Sequence, residues 1–370
     1  MVHFMKYPLG ASFRVFVALL LTSGSAYADG VVRDAFGATS TGRGGTNIAH
    51  SDNGAVLLNN PAGILNAPGE GLFEFGFDTV ITDLDYADPE NNDNARTNPL
   101  PLPGMAYFRR SENEDWAAGI GIFAPAGFSS SWDIENPVMG DSRYKSFGAL
   151  MKVLPAFAYR ATDRLSLGAT FGVAASHVEL ETPFYLQTGA LAGVPARLDL
   201  QATGAAPTWS LGLQFEATER TTMGLVYSSE DRFELDGSLK TSVFGLGPNP
   251  VPSRFDAEVD LVWPQSVGAG IRHRVNDWQR ASLDIIWFDW SHAFDRVDMK
   301  LTNSSNPLFT AMLGPVIRDS ILLDWDDSIS VRTGYEWFYS ETNIFRMGYT
   351  HNTRQLPSAT LTPPRGFNCR

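Results

Sequence analysis

The chain has 370 residues, 44% of them hydrophobic, and carries 41 Asp and Glu against 28 Lys and Arg, a formal net charge of −13. That sign argues against nucleic acid as a partner, because the phosphate backbone is bound through Lys and Arg. Cys369 is the single cysteine, which excludes an intrachain disulfide framework, and no apolar run reaches the roughly 20 residues that a membrane-spanning helix needs.

The chain opens like a secreted precursor. Lys6 and Arg14 precede the apolar run Val15–Leu21, and Ser25–Ala28 offers the small-x-small pattern that signal peptidase reads. Residues 1–28 are therefore expected to be a signal peptide, cut after Ala28. The segment 29–70 reads as a plug, not a strand. Gly42, Gly44 and Gly45 permit backbone angles closed to other residues, and Asp52-Asn53-Gly54 is turn chemistry. Ala55–Leu58 is a helix-sized apolar stretch that ends at Asn59-Asn60-Pro61.

From residue 71 onward apolar and small or polar residues alternate with period two over segments long enough to cross a membrane when tilted. Leu165, Leu167, Ala169, Phe171 and Val173 oppose Ser166, Gly168, Thr170 and Gly172; Ile329, Val331, Tyr335 and Trp337 oppose Ser330, Arg332, Gly334 and Glu336. An Arg that faces lipid near the midplane costs about 2–4 kcal/mol, so Arg332 and Glu336 are expected to face the lumen and the apolar parity to face lipid. Eleven strands are predicted, at 71–82, 103–110, 116–128, 144–160, 164–182, 198–216, 221–237, 254–274, 280–301, 318–339 and 343–352. Short turns alternate with long connections at 83–102, 129–143, 183–197, 238–253 and 302–317, the asymmetry of outer-membrane barrels whose long loops lie outside the cell. An aromatic share of 12% suits the interfacial girdles of such a barrel.

The order of signal, Gly-rich segment, Asp52, Asn60-Pro61-Ala62-Gly63 and strands resembles the FadL and TodX type of outer-membrane transport protein. The resemblance implies an all-β transmembrane antiparallel β-barrel of the 14-strand FadL type. Its N-terminal hatch would span 29–70, with Asn60, Pro61, Ala62, Gly44 and Gly45 as the hatch motif. Residues 71–370 would be the barrel, here with about eleven strands and incomplete, because Phe345–His351 resembles the family's eleventh strand and roughly three more would follow it. The tail around Cys369 reads as prematurely ended. An unclosed sheet in lipid leaves unpaired backbone groups at both edges, so the chain is expected not to close a standard barrel by itself; a heat-modifiable, membrane-inserted monomer would overturn that.

The resemblance also implies a route. Trp116–Phe128 is similar to the family's kinked third strand, which leaves a gap toward the membrane, and marks Phe123, Pro125, Gly127 and Phe128 as a lateral opening. Pro125 cannot donate to a ladder and Gly127 weakens a strand, although an ordinary strand end with Pro125 outside the ladder explains the pair equally well. Trp132, Ile134 and Val138 in one long connection, with Phe184 and Leu186 in the next, would form a capture groove; the plainer alternative is that they pack on each other over the barrel mouth. For a carboxylate partner only His177 and Arg318 stand near the positions where fatty-acid transporters of the family carry cations.

The implied function is passive outer-membrane transport of hydrophobic compounds, long-chain fatty acids or similar lipophilic molecules, past the hatch and out laterally. The alternatives are uptake of neutral aromatic hydrocarbons, or a general diffusion or structural barrel. Expected partners are the hydrophobic ligand, outer-membrane lipid and lipopolysaccharide, and the barrel-assembly machinery, for a monomer in the outer membrane of a Gram-negative bacterium. No cofactor or catalytic residue is expected. Six His lack metal-ligand spacing, Ser291-His292 lies in what resembles a strand end, the acidic run Asp83–Asp93 lacks EF-hand spacing, and Gly42–Gly45 lacks the ending of a phosphate loop.

Overall fold

The computed structural model describes residues 31–81, 84–88, 90–96, 99–186, 189–340 and 342–356. The predicted signal peptide and the tail with Cys369 lie outside the described residues. Strand β1 (Gly71–Val80) leads through a small hairpin, β2 (Asp85–Ala87) with β3 (Asn92–Asn94), to β4 (Leu100–Arg110). Four long strands come next: β5 (Trp116–Asn136), β6 (Gly140–Thr162), β7 (Leu165–Tyr185) and β8 (Pro195–Thr218). The rest of the wall is built from half-strands in pairs: β9 (Thr221–Ser228) and β10 (Asp231–Val243), then β11 (Val251–Trp263) and β12 (Ser266–Asn276). After these come β13 (Gln279–Phe288) and β14 (Arg296–Thr302), β15 (Val316–Leu322) and β16 (Ser328–Phe338), and the single strand β17 (Ile344–Asn352).

Helices are few and short. The hatch holds α1 (Gly37–Gly42), α2 (Val56–Asn59) and a 3-10 helix (Pro61–Asn66), while α3 (Trp290–Ala293) and α4 (Pro307–Leu313) sit between wall strands. Among the described residues no helix is long and apolar enough to cross a membrane.

The wall is an antiparallel half-barrel of eleven strands in the order β1-β4-β5-β6-β7-β8-β9-β12-β13-β16-β17. An upper branch, β8-β10-β11-β14-β15, continues it toward the long connections. The predicted count agrees, but four strands expected to be continuous, 221–237, 254–274, 280–301 and 318–339, are each broken in two. Pro264 separates β11 from β12 because it has no N–H to donate, α3 is inserted between β13 and β14, and Asp324 takes a left-handed conformation (φ 54°) between β15 and β16. Among the described residues β1 pairs only with β4, β17 only with β16 and, at the end of the upper branch, β15 only with β14, so the sheet has three edge strands.

The alternation sorts the two faces as expected. Phe73, Phe75 and Phe77 of β1 point outward and are 67–68% exposed, whereas Arg332 and Glu336 of β16 point inward and are 2% and 1% exposed. The long connection expected at 129–143 is instead mostly ladder: β5 and β6 stay paired from Trp132–Tyr144 to Asn136–Gly140 around a turn of three residues. Trp132 and Ile134 are therefore strand residues, and their inward parity buries them with Leu84 beneath the β2–β3 hairpin.

Candidate functional site

The segment before β1, called the hatch here for its position, lies against the inner face of the wall, which leaves room for it. A Cβ on Gly168 of β7 would come within 2.2 Å of the Ala62 nitrogen, one on Gly212 of β8 within 2.1 Å of Asn60 Oδ1, and one on Gly348 of β17 within 1.9 Å of the Gly44 nitrogen. Inward glycines on β7, β8 and β17 thus form a seat against which polypeptide can lie. In the hatch itself Gly44 and Gly45 have φ of 65° and 76°, a left-handed turn closed to most side chains.

Asn60 stitches hatch to wall. Its Nδ2 donates to the Ile48 carbonyl at 2.8 Å and to the Leu213 carbonyl of β8 at 3.0 Å, and its Oδ1 accepts from the Ala62 N–H at 3.2 Å. Pro61 opens the 3-10 helix, where a missing N–H costs nothing. Gln214 of β8 caps the same turn, donating to the Ile48 and His50 carbonyls at 3.0 and 2.9 Å. Asp284 of β13 accepts from the Asn47 and Ile48 amides at 2.7 and 3.0 Å. Hatch backbone groups that find no partner in their own short helices therefore find one on the wall.

A buried ion network completes the seat. Arg43 of the hatch meets Asp52 at 2.8 Å and Glu336 at 3.8 Å, Arg280 of β13 bridges Asp52 (2.7 Å) and Glu336, and Arg346 of β17 reaches Glu336 at 2.9 Å. Arg332 donates to the Asp34 carbonyl at 2.7 Å. His50, Asp52 and Glu336 bring ligand atoms within 4.8 Å of one another. Both carboxylates are already paired with guanidinium groups that would repel a cation, so no metal centre is assigned. Burial, reinforced by the neighbouring Arg43, pulls His50 in the hatch down to about 3, so it sits neutral, 3.9 Å from Asp52.

Above the hatch the bore changes character. A cavity of about 490 Å³ is lined by apolar side chains, among them Val178, Leu180, Phe184, Leu198, Trp263 and Phe294, with no Lys or Arg among its lining residues. One side is an aromatic cluster created by the broken strands: Trp290, Phe294 and Trp325 lie with ring centroids 4.7–5.0 Å apart, and Trp263 is 5.9 Å from Phe294.

The expected site residues divide between these surroundings. Phe128 and Phe184 line the cavity, and Leu186 packs on the core cluster around it. Trp132 and Ile134 belong to the separate cluster under the β2–β3 hairpin, and Val138 is exposed in the β5–β6 turn. Arg318 is exposed on β15 and does not line the cavity. His177 is held between Thr203 (2.6 Å) and Glu179 (3.1 Å), and Glu179 also pairs with Lys145.

At the expected opening β5 is irregular. Its ladder with β4 ends at the Gly104–Phe123 pair, and its register with β6 shifts between Phe123 and Ala126. Pro101 and Pro103 of β4 cannot donate beyond that point. The hatch start takes up the freed groups: Arg33 N–H donates to the Pro125 carbonyl and Gly127 N–H to the Val31 carbonyl, both at 2.9 Å.

Lys152 of β6, paired with Phe123 across the ladder and inward-facing, was missed by sequence reading. Its signal was present, since the parity argument that turns Arg332 inward applies equally to a Lys within Met151–Pro155. The aromatic cluster had no such signal, because it joins residues from three separate strand breaks.

The profile of a family described as outer membrane protein transport protein (OMPP1/FadL/TodX) matches residues 19–363. No curated protein sequence matches the chain. Among solved structures, the chain is similar to the P. putida toluene transporter TodX, with a TM-score of 0.74 at 22% identity over 86% of this chain and 84% of that one. It is also similar to the Ralstonia pickettii toluene transporter TbuX (TM-score 0.71, 22% identity, 86% and 87% covered). A Pseudomonas aeruginosa FadL homologue shares the fold at a TM-score of 0.68 and 16% identity, with 91% and 84% covered.

Proposed function

The chain belongs to the outer-membrane transport proteins of the OMPP1/FadL/TodX family, which are transporters and not enzymes, and on that premise we propose that it conducts neutral hydrophobic molecules of monoaromatic size. The observation that carries this reading is the cavity of about 490 Å³ above the hatch, apolar on nearly every side and without a cationic lining residue. Apolar walls favour a ligand by removing its surface from water. A carboxylate would arrive there without a cation and lose its hydration, which favours a neutral arene over a fatty acid.

In this reading the ligand enters from the long-loop side and collects against Phe184, Trp263 and Phe294. It leaves sideways where the β4–β5 ladder stops at Phe123, once the hatch start at Val31–Arg33 lets go of Pro125 and Gly127. Asn60-Pro61-Ala62 and the Gly44-Gly45 turn hold the rest of the hatch as the stopper. The protein would reach the outer membrane after signal cleavage, through the barrel-assembly machinery, and work as a monomer among lipid and lipopolysaccharide.

Uptake of radiolabelled toluene and oleate by cells that express the chain tests this. Saturable toluene uptake that oleate does not compete is expected. Saturable oleate uptake alone would favour the fatty-acid reading, and no saturable uptake of either would leave a general diffusion barrel.

A further inference from the structure

Below the apolar cavity, and sharing Trp263 with it, lies a second chamber of about 110 Å³ between wall and hatch. Ile48 and Asn59 of the hatch form its floor, and Lys152 of β6 with Asp231 of β10 closes one wall. Asp231 is 1% exposed, yet only half of its carboxylate is engaged. Its Oδ2 lies 2.7 Å from Lys152 Nζ, while its Oδ1 is buried with no hydrogen-bond partner. Lys152 is further held by Thr208 Oγ1 at 3.1 Å. Asn59 Oδ1 is a second buried acceptor without a donor.

The chamber therefore has acceptors to spare, and the three cations that line it, Arg33, Lys152 and Arg332, are each held by a counter-ion, Asp78, Asp231 and Asp34. A buried acceptor left unmatched is costly, and a hydrogen bond to a charged group is among the stronger kinds. A hydrocarbon brings no donor, and a carboxylate would bring a second negative charge beside Asp231. A neutral hydroxyl group brings one donor and no charge. We propose that the chamber is a second binding site, which takes the hydroxyl group of a phenol whose ring stays against Trp263 at the floor of the apolar cavity. This rests on the reading of the bore as a hydrophobic route, and it extends the ligand class from bare arenes to hydroxylated ones.

Toluene and p-cresol differ by that one hydroxyl group. Equilibrium dialysis of the two labelled compounds against the full chain in detergent micelles, corrected for micelle partition, is expected to give p-cresol at least tenfold tighter. Asp231→Ala removes that preference and leaves toluene binding as in the wild type. Because Asp231→Ala strands Lys152, the double variant K152M/D231L, which removes both charges, is run beside it and is expected to lose the preference too. Asn59→Leu lowers it about threefold. Equal binding of the two compounds by the wild type, or a preference that survives in the double variant, overturns the proposal while toluene binding leaves the transport reading standing. Binding of neither compound refutes both.

Discussion

The lower and upper halves of the bore are walled by the same strands and lined by opposite chemistry. Where β7 and β8 pass the hatch, their inward residues are Ser166, Gly168, Thr170, Ser210, Gly212 and Gln214; a few turns of the pleat higher they are Val178, Leu180, Leu198 and Leu200. What fills each half explains the difference. The lower bore receives polypeptide, whose amides and carbonyls need partners once they leave water, and it supplies them from Asp284, Gln214 and the Arg–Glu network. The upper bore supplies almost none, and so it suits a molecule that asks for none. One wall can thus seat the N-terminal segment below and line an apolar cavity above without any change in strand pairing.

The contrast can be broken most severely in the lower half. Glu336→Gln leaves Arg280, Arg346 and Arg43 without their shared carboxylate, and removing one partner of a buried pair costs about 3–5 kcal/mol. Hydrogen exchange of hatch amides such as those of Asn47 and Ile48 should lose protection; unchanged protection would mean that the network does not seat the hatch. Gly168→Val tests the seat by shape, driving a side chain into the Ala62 backbone at a cost of up to about 3 kcal/mol. Vesicles carrying it should leak small hydrophilic solutes, and intact vesicles would show that the wall yields instead.

A third prediction concerns acid. With His50 held at about 3 in the seated hatch and near 6.5 when released, the released form binds the proton first. Seating is complete above about pH 6.5 and weakens as the pH falls toward 3, by about 2 kcal/mol at pH 5. His50→Gln should flatten that part of the profile, read by the same amide protection. The smallest effect belongs to the upper half: Phe184→Ala should lower toluene affinity by about 1 kcal/mol and leave hatch protection unchanged. A drop in both would mean that the two halves are coupled.

Much of this was legible before any fold was known. Alternation from residue 71 onward marked the wall, its eleven strands and their lipid face, because a period of two assigns every side chain to one side. Charge then oriented Arg332 and Glu336, since a charge facing lipid is too costly to keep. Pro264 was equally visible, and reading 254–274 as one strand overlooked that it cannot donate to a ladder.

Which residues meet inside the bore was not legible. Asp52 and Arg280 stand 228 positions apart, and periodicity says that both face inward without saying that they touch. Trp132 and Ile134 looked like loop residues until pairing with β6 made them strand and the β2–β3 hairpin covered them. The sequence by itself determined the two faces of the wall, because that choice is made locally by each residue against lipid or lumen. The anchorage of the N-terminal segment and the apolar cavity above it were decided only by the curvature of the sheet, which brings residues from distant strands to face one another across the bore.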